Sequence, residues 1–349
     1  MPKEKEIALT VETTKVEDVR KAILYAIKTK LPLMIWGKPG IGKSSLVRDV
    51  ATELSYNLID LRLSLLLPED LMGLPAIING LTKWMRPELL PPSDSTTPTI
   101  LFLDEINLAQ LSMQHAAYQL ILDRRIGAYQ LPDSVVIIAA GNRIEDRTGV
   151  TDMNPALANR FIHINFPVPT KDEWTEWAVK HNIHPQIIGF INFQSNLLWN
   201  INPNSKEKAQ PTPRSWEFAS KLLWVSNDPN IVSLAVGTPA GQQFVEYIKN
   251  FSTIPNVWDI VEGKMRLDEG DVGLWIAVVS ELAYQLSQKT FSDKMIDTLL
   301  HWLLTINVEY ATLLLRQIKV ASNPTIIKII KNPIWANQIV PKWTRFFEG

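Results

Sequence analysis

The sequence predicts an α/β fold in which a five-stranded parallel sheet is followed by a purely helical region. Two observations support this prediction. Up to about residue 167, five short apolar runs alternate for the most part with segments whose apolar residues recur at helical spacing, which is typical of a parallel sheet covered on both faces. Beyond that point strand-like runs vanish, and ten of the 12 tryptophans lie there. The five runs are Leu33–Trp36, Leu58–Leu63, Ile100–Leu103, Val135–Ala139 and Phe161–Phe166.

The length and the proline pattern suggest two domains. A chain of 349 residues is long enough for two hydrophobic cores. The segment Pro-Val-Pro-Thr that begins at Pro167 coincides with the change in pattern. We therefore assign residues 1–168 to an α/β core and residues 169–349 to a helical domain, whose tryptophans we interpret as a packed core rather than a surface on which bases stack.

Composition excludes several classes of function. The 35 Lys and Arg are balanced by 36 Asp and Glu, so bulk charge does not indicate a nucleic-acid surface. The absence of Cys excludes disulfides, thiolate metal sites and cysteine nucleophiles. The charged N-terminus leads into no apolar signal core, and no apolar run is long enough to span a membrane. We expect a soluble, cytoplasmic protein.

The first predicted strand lies between two predicted helices. Thr14 and Glu17 have the spacing of a capping box ahead of an amphipathic helix. After the strand comes a complete G-x-x-x-x-G-K-[ST] pattern at the start of a second helix, where glycines and the helix N-terminus can surround phosphate oxygens. We predict that Lys43 reaches the β- and γ-phosphates and that Ser44 ligates Mg²⁺. The predicted nucleotide-binding residues here are Gly37, Lys38, Pro39, Gly40, Ile41, Gly42, Lys43, Ser44 and Ser45.

Two carboxylates follow the third apolar run. Asp104 and Glu105 stand at the carboxyl end of a predicted buried strand, where ligands bind in open α/β sheets. We predict that Asp104 helps to hold Mg²⁺ and that Glu105 orients and activates the attacking water. Alternatively, the pair could only cap the following helix, which we predict over residues 107–123; the upstream phosphate loop makes this alternative weaker.

A polar residue also ends the fourth run. Asn142 follows Val135–Ala139 at the tip of another strand, where an amide can hydrogen-bond the γ-phosphate and the attacking water. The alternative is a turn asparagine after Gly141. Four arginines lie near this strand, and we favour structural salt bridges for them over contacts with a neighbouring subunit's nucleotide; they are Arg124, Arg125, Arg143 and Arg147.

Two hairpins are predicted between these elements. Asn79-Gly80 lies between apolar residues and is a strong short-range hairpin signal. Residues 125–134 read as a second hairpin that enters the fourth strand. Both could be surface hairpins with no contact role.

The order of these motifs resembles that of the AAA+ ATPases. The resemblance extends to Ala-Leu-Ala-Asn-Arg160-Phe and to Thr-Pro-Arg214-Ser-Trp. It implies that Arg160 is an arginine finger for the nucleotide of a neighbouring subunit and that Arg214 is a sensor-2 arginine on a helical lid. In addition, Thr212 can cap a helix whose first residue is Pro213, which would place Arg214 in the first turn. The resemblance also implies ATP as the nucleotide and a P-loop NTPase core.

Within that class the closest resemblance is to the MoxR branch, particularly to members paired with a von Willebrand A-domain protein. It implies a homo-oligomeric ring, expected to be a hexamer, hairpins that reach a central pore, and a protein client. The segments that carry it are Glu69-Asp-Leu-Met-Gly-Leu-Pro75, Trp-Met-Arg-Pro-Glu-Leu-Leu90, Leu-Asp-Glu-Ile-Asn107 and Gln119-Leu-Ile-Leu-Asp-Arg-Arg125.

Three functions are consistent with these motifs. We favour a MoxR-like ATPase that remodels or activates a protein partner in a chaperone-like way. The alternative is an AAA+ nucleic-acid motor, which would be expected to carry basic hairpin tips, whereas Lys83 is the one basic residue close to the Asn79-Gly80 tip. A third reading is an ATP-bound scaffold without turnover, against which the intact Glu105 argues.

Overall fold

The structure is a computed structural model that describes residues 11–13, 15–143, 153, 155–226, 228–251, 256–268, 270–320 and 324–341. The chain divides into two compact units, Met1–Pro169 and Thr170–Gly349. In the first unit, strands and helices alternate. They are α1 (Val16–Thr29), β1 (Leu33–Trp36), α2 (Lys43–Glu53), β2 (Asn57–Arg62), α3 (Pro68–Met72), β3 (Leu74–Ile78), β4 (Leu81–Met85), β5 (Thr99–Asp104), α4 (Leu111–Asp123), β6 (Arg125–Ile126), β7 (Tyr129–Gln130), β8 (Val135–Gly141), α5 (Pro155–Ala158) and β9 (Ile162–Asn165).

Five of these strands form one sheet in the order β2-β5-β8-β1-β9, and every neighbouring pair is parallel. The predicted five-stranded parallel sheet is therefore confirmed. Because the strands are parallel, their carboxyl ends lie along one edge: Trp36 is opposite Gly141, and Arg62 is opposite Asp104. Three predicted parts of the site lie where strands end at this edge: the phosphate loop, the carboxylates Asp104 and Glu105, and Asn142.

Burial explains why the strand sequences are so uniformly apolar. Every residue of β5 and β8 is buried, as expected for strands covered on both faces. Leu101 and Ile137 join one core cluster with Met113 and Leu120 of α4. The alternate residues of the same strands are equally buried, and α1 and α2 contact β8 and β5.

The predicted helix over residues 107–123 is wrong in its first turn. Residues Ile106–Leu108 form a 3₁₀ turn, Ala109 and Gln110 are extended, and the helix begins at Leu111. In place of a first helical turn, the side chain of Asn107 hydrogen-bonds the backbone of Asn142, the residue that follows β8. Thr14, the predicted cap of α1, lies outside the described residues.

The two predicted hairpins are present. Strands β3 and β4 are joined through Asn79 and Gly80, whose φ angles of 54° and 75° are those of a tight hairpin turn. Strands β6 and β7 are only two residues long and lead into β8. Nearly every side chain of β3 and β4 is exposed or half-exposed.

Within the described ranges, the second unit is helical and contains no strand. Several of its tryptophans pack in cores as predicted: Trp174 and Trp216 belong to one buried cluster, and Trp275 and Trp302 belong to another, whereas Trp224 is 39% exposed. Among the residues that the structure describes, no helix is long and apolar enough to cross a membrane. The α-helices are α6 (Lys171–Lys180), α7 (Pro185–Phe193), α8 (Pro213–Ser226), α9 (Ser233–Val236), α10 (Thr238–Phe251), α11 (Val257–Val261), α12 (Val272–Gln288), α13 (Asp293–Leu303), α14 (Val308–Val320) and α15 (Pro324–Lys331).

Candidate functional site

The phosphate loop connects β1, in the interior of the sheet, to the N-terminus of α2. Gly42 has a φ of 106°, a backbone conformation that residues with a Cβ rarely adopt. It immediately precedes the first helical residue, Lys43. Ile41 is buried and holds the loop against the core, whereas six other residues of the phosphate loop are partly exposed. These partly exposed residues are Lys38, Pro39, Gly40, Gly42, Ser44 and Ser45.

Lys43 is buried, with 9% of its surface exposed, and its ammonium has three oxygen acceptors. It donates to the carbonyls of Gly37 at 2.7 Å and Lys38 at 2.9 Å, and to Oδ1 of Asn142 at 3.0 Å. A buried charge needs such partners because desolvation is otherwise costly. The positive charge is thus held at the mouth of the loop, beside the helix N-terminus.

Ser44 and Asp104 meet across the same edge. The Ser44 hydroxyl donates to Oδ2 of Asp104 at 2.8 Å, and Asp104 is 7% exposed. A hydroxyl and a carboxylate oxygen this close are the hard donors that Mg²⁺ prefers, and Mg²⁺ commonly takes few protein ligands while it keeps several waters. The residues present therefore fit the predicted Mg²⁺ site.

The charge of Asp104 also affects a neighbouring strand. Asp60 of β2 lies near Asp104, and its pKa is raised first by burial and then by the negative charge of Asp104. Arg48 and Arg62 oppose this shift, and Arg48 forms an ion pair with Asp60 at 3.3 Å. The edge of the sheet therefore carries closely spaced acidic charge next to the basic loop.

Glu105 occupies a left-handed backbone conformation, with φ of 57° and ψ of 34°. This turns the chain away from β5 and leaves the carboxylate half-buried, with Oε2 accepting a hydrogen bond from the hydroxyl of Ser64. Ser64 lies in the 3₁₀ turn just after β2. Sequence reasoning did not identify Ser64, because serine is common and nothing in the local pattern distinguishes it.

Asn142 follows β8 and makes contacts on two sides. Its side chain accepts from Lys43, and its backbone is bound by the side-chain amide of Asn107. The structure thus brings Lys43, Ser44, Asp104, Glu105 and Asn142 to one edge of the sheet. Asn107 is a further member of the site that the sequence motif contained but to which no role was assigned.

The two arginines with predicted catalytic roles, Arg160 and Arg214, lie in different units of the chain. Arg160 is exposed just after α5, and its backbone N–H donates to the carbonyl of Leu157. Arg214 is exposed in the first turn of α8, where Thr212 accepts from the N–H of Ser215 as the predicted cap. Arg160 thus belongs to the first unit and Arg214 to the second.

The arginines near β8 do not share one role. Arg124 donates to the carbonyls of Pro132 and Val135, so its structural contacts are with backbone oxygens rather than the expected carboxylates, and burial lowers its pKa. Arg125 is exposed on β6 and Arg143 is half-buried. Arg147 lies outside the described residues.

Comparison with known proteins finds a family match in the first unit. Residues 33–168 match the family described as "ATPase family associated with various cellular activities (AAA)". The chain is similar to midasin of Giardia intestinalis, with 27% identity over 169 residues; the match covers 46% of this chain and spans only 3% of the length of that relative.

Two solved structures are similar to this chain at a lower sequence identity. A mutant of RuvB from Thermotoga maritima has a TM-score of 0.40 and 15% identity, over 78% of this chain and 85% of RuvB. NtrX from Brucella abortus in complex with ADP has a TM-score of 0.39 and 15% identity, over 80% of this chain and 66% of NtrX. Among the residues that the structure describes, the matched segment 33–168 contains every strand and the whole phosphate loop, and this segment is similar to the AAA ATPase family.

Proposed function

We propose that this protein is a MoxR-like AAA+ ATPase that hydrolyses ATP in a homo-oligomeric ring and uses the energy to remodel or activate a protein partner. In this proposal, residues 1–168 are the nucleotide-binding core, and residues 169–349 are a helical lid with a C-terminal extension. The ring is expected to be a hexamer, the reaction to depend on Mg²⁺, and the protein to be cytoplasmic.

The proposed chemistry divides among the residues at the sheet edge. Lys43 binds the β- and γ-phosphates, Ser44 and Asp104 hold Mg²⁺, and Glu105 takes a proton from the attacking water. Mg²⁺ bound there would neutralise phosphate charge. Asn142 orients the γ-phosphate and the water through its side-chain amide. The support for these roles is that five polar groups from three separate segments of the chain meet at one edge.

The proposed ring rests on the arginines. Arg160 is exposed and lies just before β9, at the amino ends of the strands, whereas the phosphate loop follows the carboxyl end of β1. Such a position favours contact with a neighbouring subunit's nucleotide over contact with its own. An arginine supplied in trans is typically worth about 10³–10⁵ in rate. Arg214 on α8 is proposed to contact nucleotide from the lid.

The observation that carries the choice of a protein client is the apolar surface of the β3–β4 hairpin. Ile77 is 82% exposed, Leu81 is 65% exposed and Trp84 is 47% exposed. Both faces of the hairpin are affected, because Ile77 and Trp84 lie on one face and Leu81 on the other. Exposed apolar patches of this kind mark protein-interaction sites.

The same hairpin weakens the alternative of a nucleic-acid motor. Of its residues 74–85, Lys83 alone is charged. Contacts with phosphates need several Lys or Arg and give a strong dependence on salt. Stimulation of ATPase activity by duplex DNA, lost at high salt, would reverse the choice.

The test is a pair of matched variants. Ile77→Ser with Leu81→Ser removes apolar surface from the hairpin but keeps the Asn79-Gly80 turn, whereas Leu234→Ser removes a side chain that is 74% exposed in the second unit. The readout is binding of a von Willebrand A-domain protein from the same organism, and its effect on ATP turnover. We expect the hairpin variant to lose binding and the Leu234 variant to keep it, with unstimulated ATPase activity equal in both. Equal binding by both variants, or stimulation by DNA alone, would overturn the proposal for the client.

A further inference from the structure

The pairing between β5 and β8 ends before the site is reached. Leu103 lies opposite Ala139, and the chain then turns away at Glu105. Strand β8 continues to Gly141, which pairs with Trp36 of β1 on its other side. The last two residues of β8, Ala140 and Gly141, therefore pair with β1 but not with β5.

The side chain of Asn107 hydrogen-bonds the backbone of the first residue after β8, Asn142. Its Nδ2 donates to the carbonyl of Asn142 at 2.7 Å, and its Oδ1 accepts from the backbone N–H of Asn142 at 3.3 Å. Two bonds to the N–H and C=O of the same residue reproduce the pairing that a backbone peptide group makes in a sheet. Asn107 is 1% exposed, so its side chain is shielded from bulk water, whereas Asn142 is partly exposed.

The backbone beside this contact has no room for a side chain. A Cβ on Gly141 would come within 2.5 Å of Oδ1 of Asn107 and within 2.8 Å of Cε of Met34. The carbonyl of Gly141 also accepts from the N–H of Gly37 in the phosphate loop, at 3.2 Å. The end of β8 is thus held between the amide of Asn107 and the first residue of the loop.

Through these hydrogen bonds, the turn that follows Glu105 is connected to the phosphate loop. Asn107 lies two residues after Glu105, and the residue it holds, Asn142, accepts from Nζ of Lys43 on its other side. The position of the Asn142 side chain relative to Lys43 and Glu105 therefore depends on the Asn107 amide.

We propose that Asn107 is a positioning residue for ATP hydrolysis, which fixes the backbone of Asn142 so that its side chain faces the γ-phosphate and the attacking water. This inference rests on the proposed role of Asn142. Asn107 itself contacts no reacting group; it acts through Asn142. Both functions of its amide are needed: Asp keeps an acceptor but loses the donor, and places a carboxylate against the carbonyl of Asn142.

The test compares Asn107→Ala and Asn107→Asp with a control, Gln114→Ala. Gln114 is another buried amide close in the chain, whose Nε2 donates to the carbonyl of Ala109, so its loss measures general destabilisation. The first readout needs no turnover: hydrogen exchange of the peptide that contains Asn142. We expect exchange there to be about tenfold faster in both Asn107 variants and unchanged in the control.

The second readout is steady-state kinetics of the assembled protein. We expect the Asn107 variants to lower kcat about tenfold while KM for ATP changes by less than about twofold, because binding depends on the loop and chemistry on Asn142. In an Asn142→Ala background, Asn107→Ala should lower kcat no further. Unchanged exchange at Asn142, or an undiminished loss of kcat in that background, would overturn the inference.

Failure of the proposed function gives a different result. If Asn142→Ala alone turned over ATP at the native rate, the proposed role of Asn142 would be wrong and so would the catalytic part of the inference. The exchange measurement would still decide whether Asn107 holds Asn142. The two failures can therefore be told apart.

Discussion

Lys43 and Asn142 are joined by a 3.0 Å hydrogen bond from Nζ to Oδ1, although they are 99 positions apart in the chain. The ammonium also donates to two carbonyls of its own loop. Because the lysine is tied both to the loop and to the neighbouring strand, its charge has a defined position at the sheet edge. Binding and chemistry at this edge should be separable by substituting the two partners in turn.

The first prediction concerns that separation. Lys43→Ala removes the buried charge that we propose binds phosphate, and it should weaken ATP affinity roughly 100-fold. Asn142→Ala should leave ATP affinity within about threefold of the native value and lower turnover instead. Affinity for a fluorescent ATP analogue and single-turnover hydrolysis measure the two effects. Equal loss of affinity in both variants would contradict the assignment.

The second prediction concerns Ser44 and Asp104. Asp104→Asn keeps an acceptor for the Ser44 hydroxyl but removes the negative charge, so we expect the Mg²⁺ concentration for half-maximal ATPase activity to rise at least about tenfold. Glu53→Gln, at the opposite end of α2 from Ser44, is the control and should leave the Mg²⁺ dependence unchanged. A Mg²⁺ titration of both variants checks this, and equal shifts would count against Asp104 as a ligand.

The third prediction distinguishes an enzyme from an ATP-bound scaffold. Glu105→Gln keeps an oxygen that can accept from Ser64 but cannot take a proton, and should lower turnover by about 10²–10⁴ while ATP remains bound. Ser64→Ala frees the carboxylate from that hydrogen bond and should change turnover less than Glu105→Gln. Identical ATP consumption by the native chain and Glu105→Gln would favour the scaffold.

The sequence predicted the sheet and the local motifs, and it missed contacts between distant residues. The runs from Ile100 and Val135 are apolar throughout because both strands are covered on both faces, and this pattern can be read directly. Ser64 and Asn107 reach the site from 41 and 35 positions away, through the parallel pairing of β2, β5 and β8. No local pattern carries that information, and the break before Leu111 was missed for the same reason.

The fourth prediction concerns stability in the second unit. His184 caps α7 by accepting from the N–H of Gln186, and burial lowers its pKa to about 4, from an ordinary value of 6.5. Because the folded state favours neutral His184, its contribution to stability is full above about pH 6.5 and is lost as the pH falls toward 4.

His184→Asn keeps a good capping group that does not titrate. When the pH falls from 6.5 to 4, the free energy of unfolding should decrease in both proteins. The decrease should be smaller in the His184→Asn variant than in the native chain, by roughly 2 kcal/mol. Leu234→Ser, which changes an exposed side chain of the second unit that does not titrate, should keep the native pH dependence. Denaturant unfolding at several pH values measures this, and parallel curves for native and His184→Asn protein would contradict it.

The most direct test of the central claim, hydrolysis at a site shared between subunits, is to mix two inactive variants. Lys43→Ala lacks its own phosphate site but can supply Arg160, whereas Arg160→Ala keeps the phosphate site and lacks the arginine. We expect each variant alone to lose almost all ATPase activity and a mixed assembly to regain a substantial part of it, with a maximum near equal proportions. Mixed assemblies that form, as shown by mass, but regain no activity at any ratio would contradict a shared site.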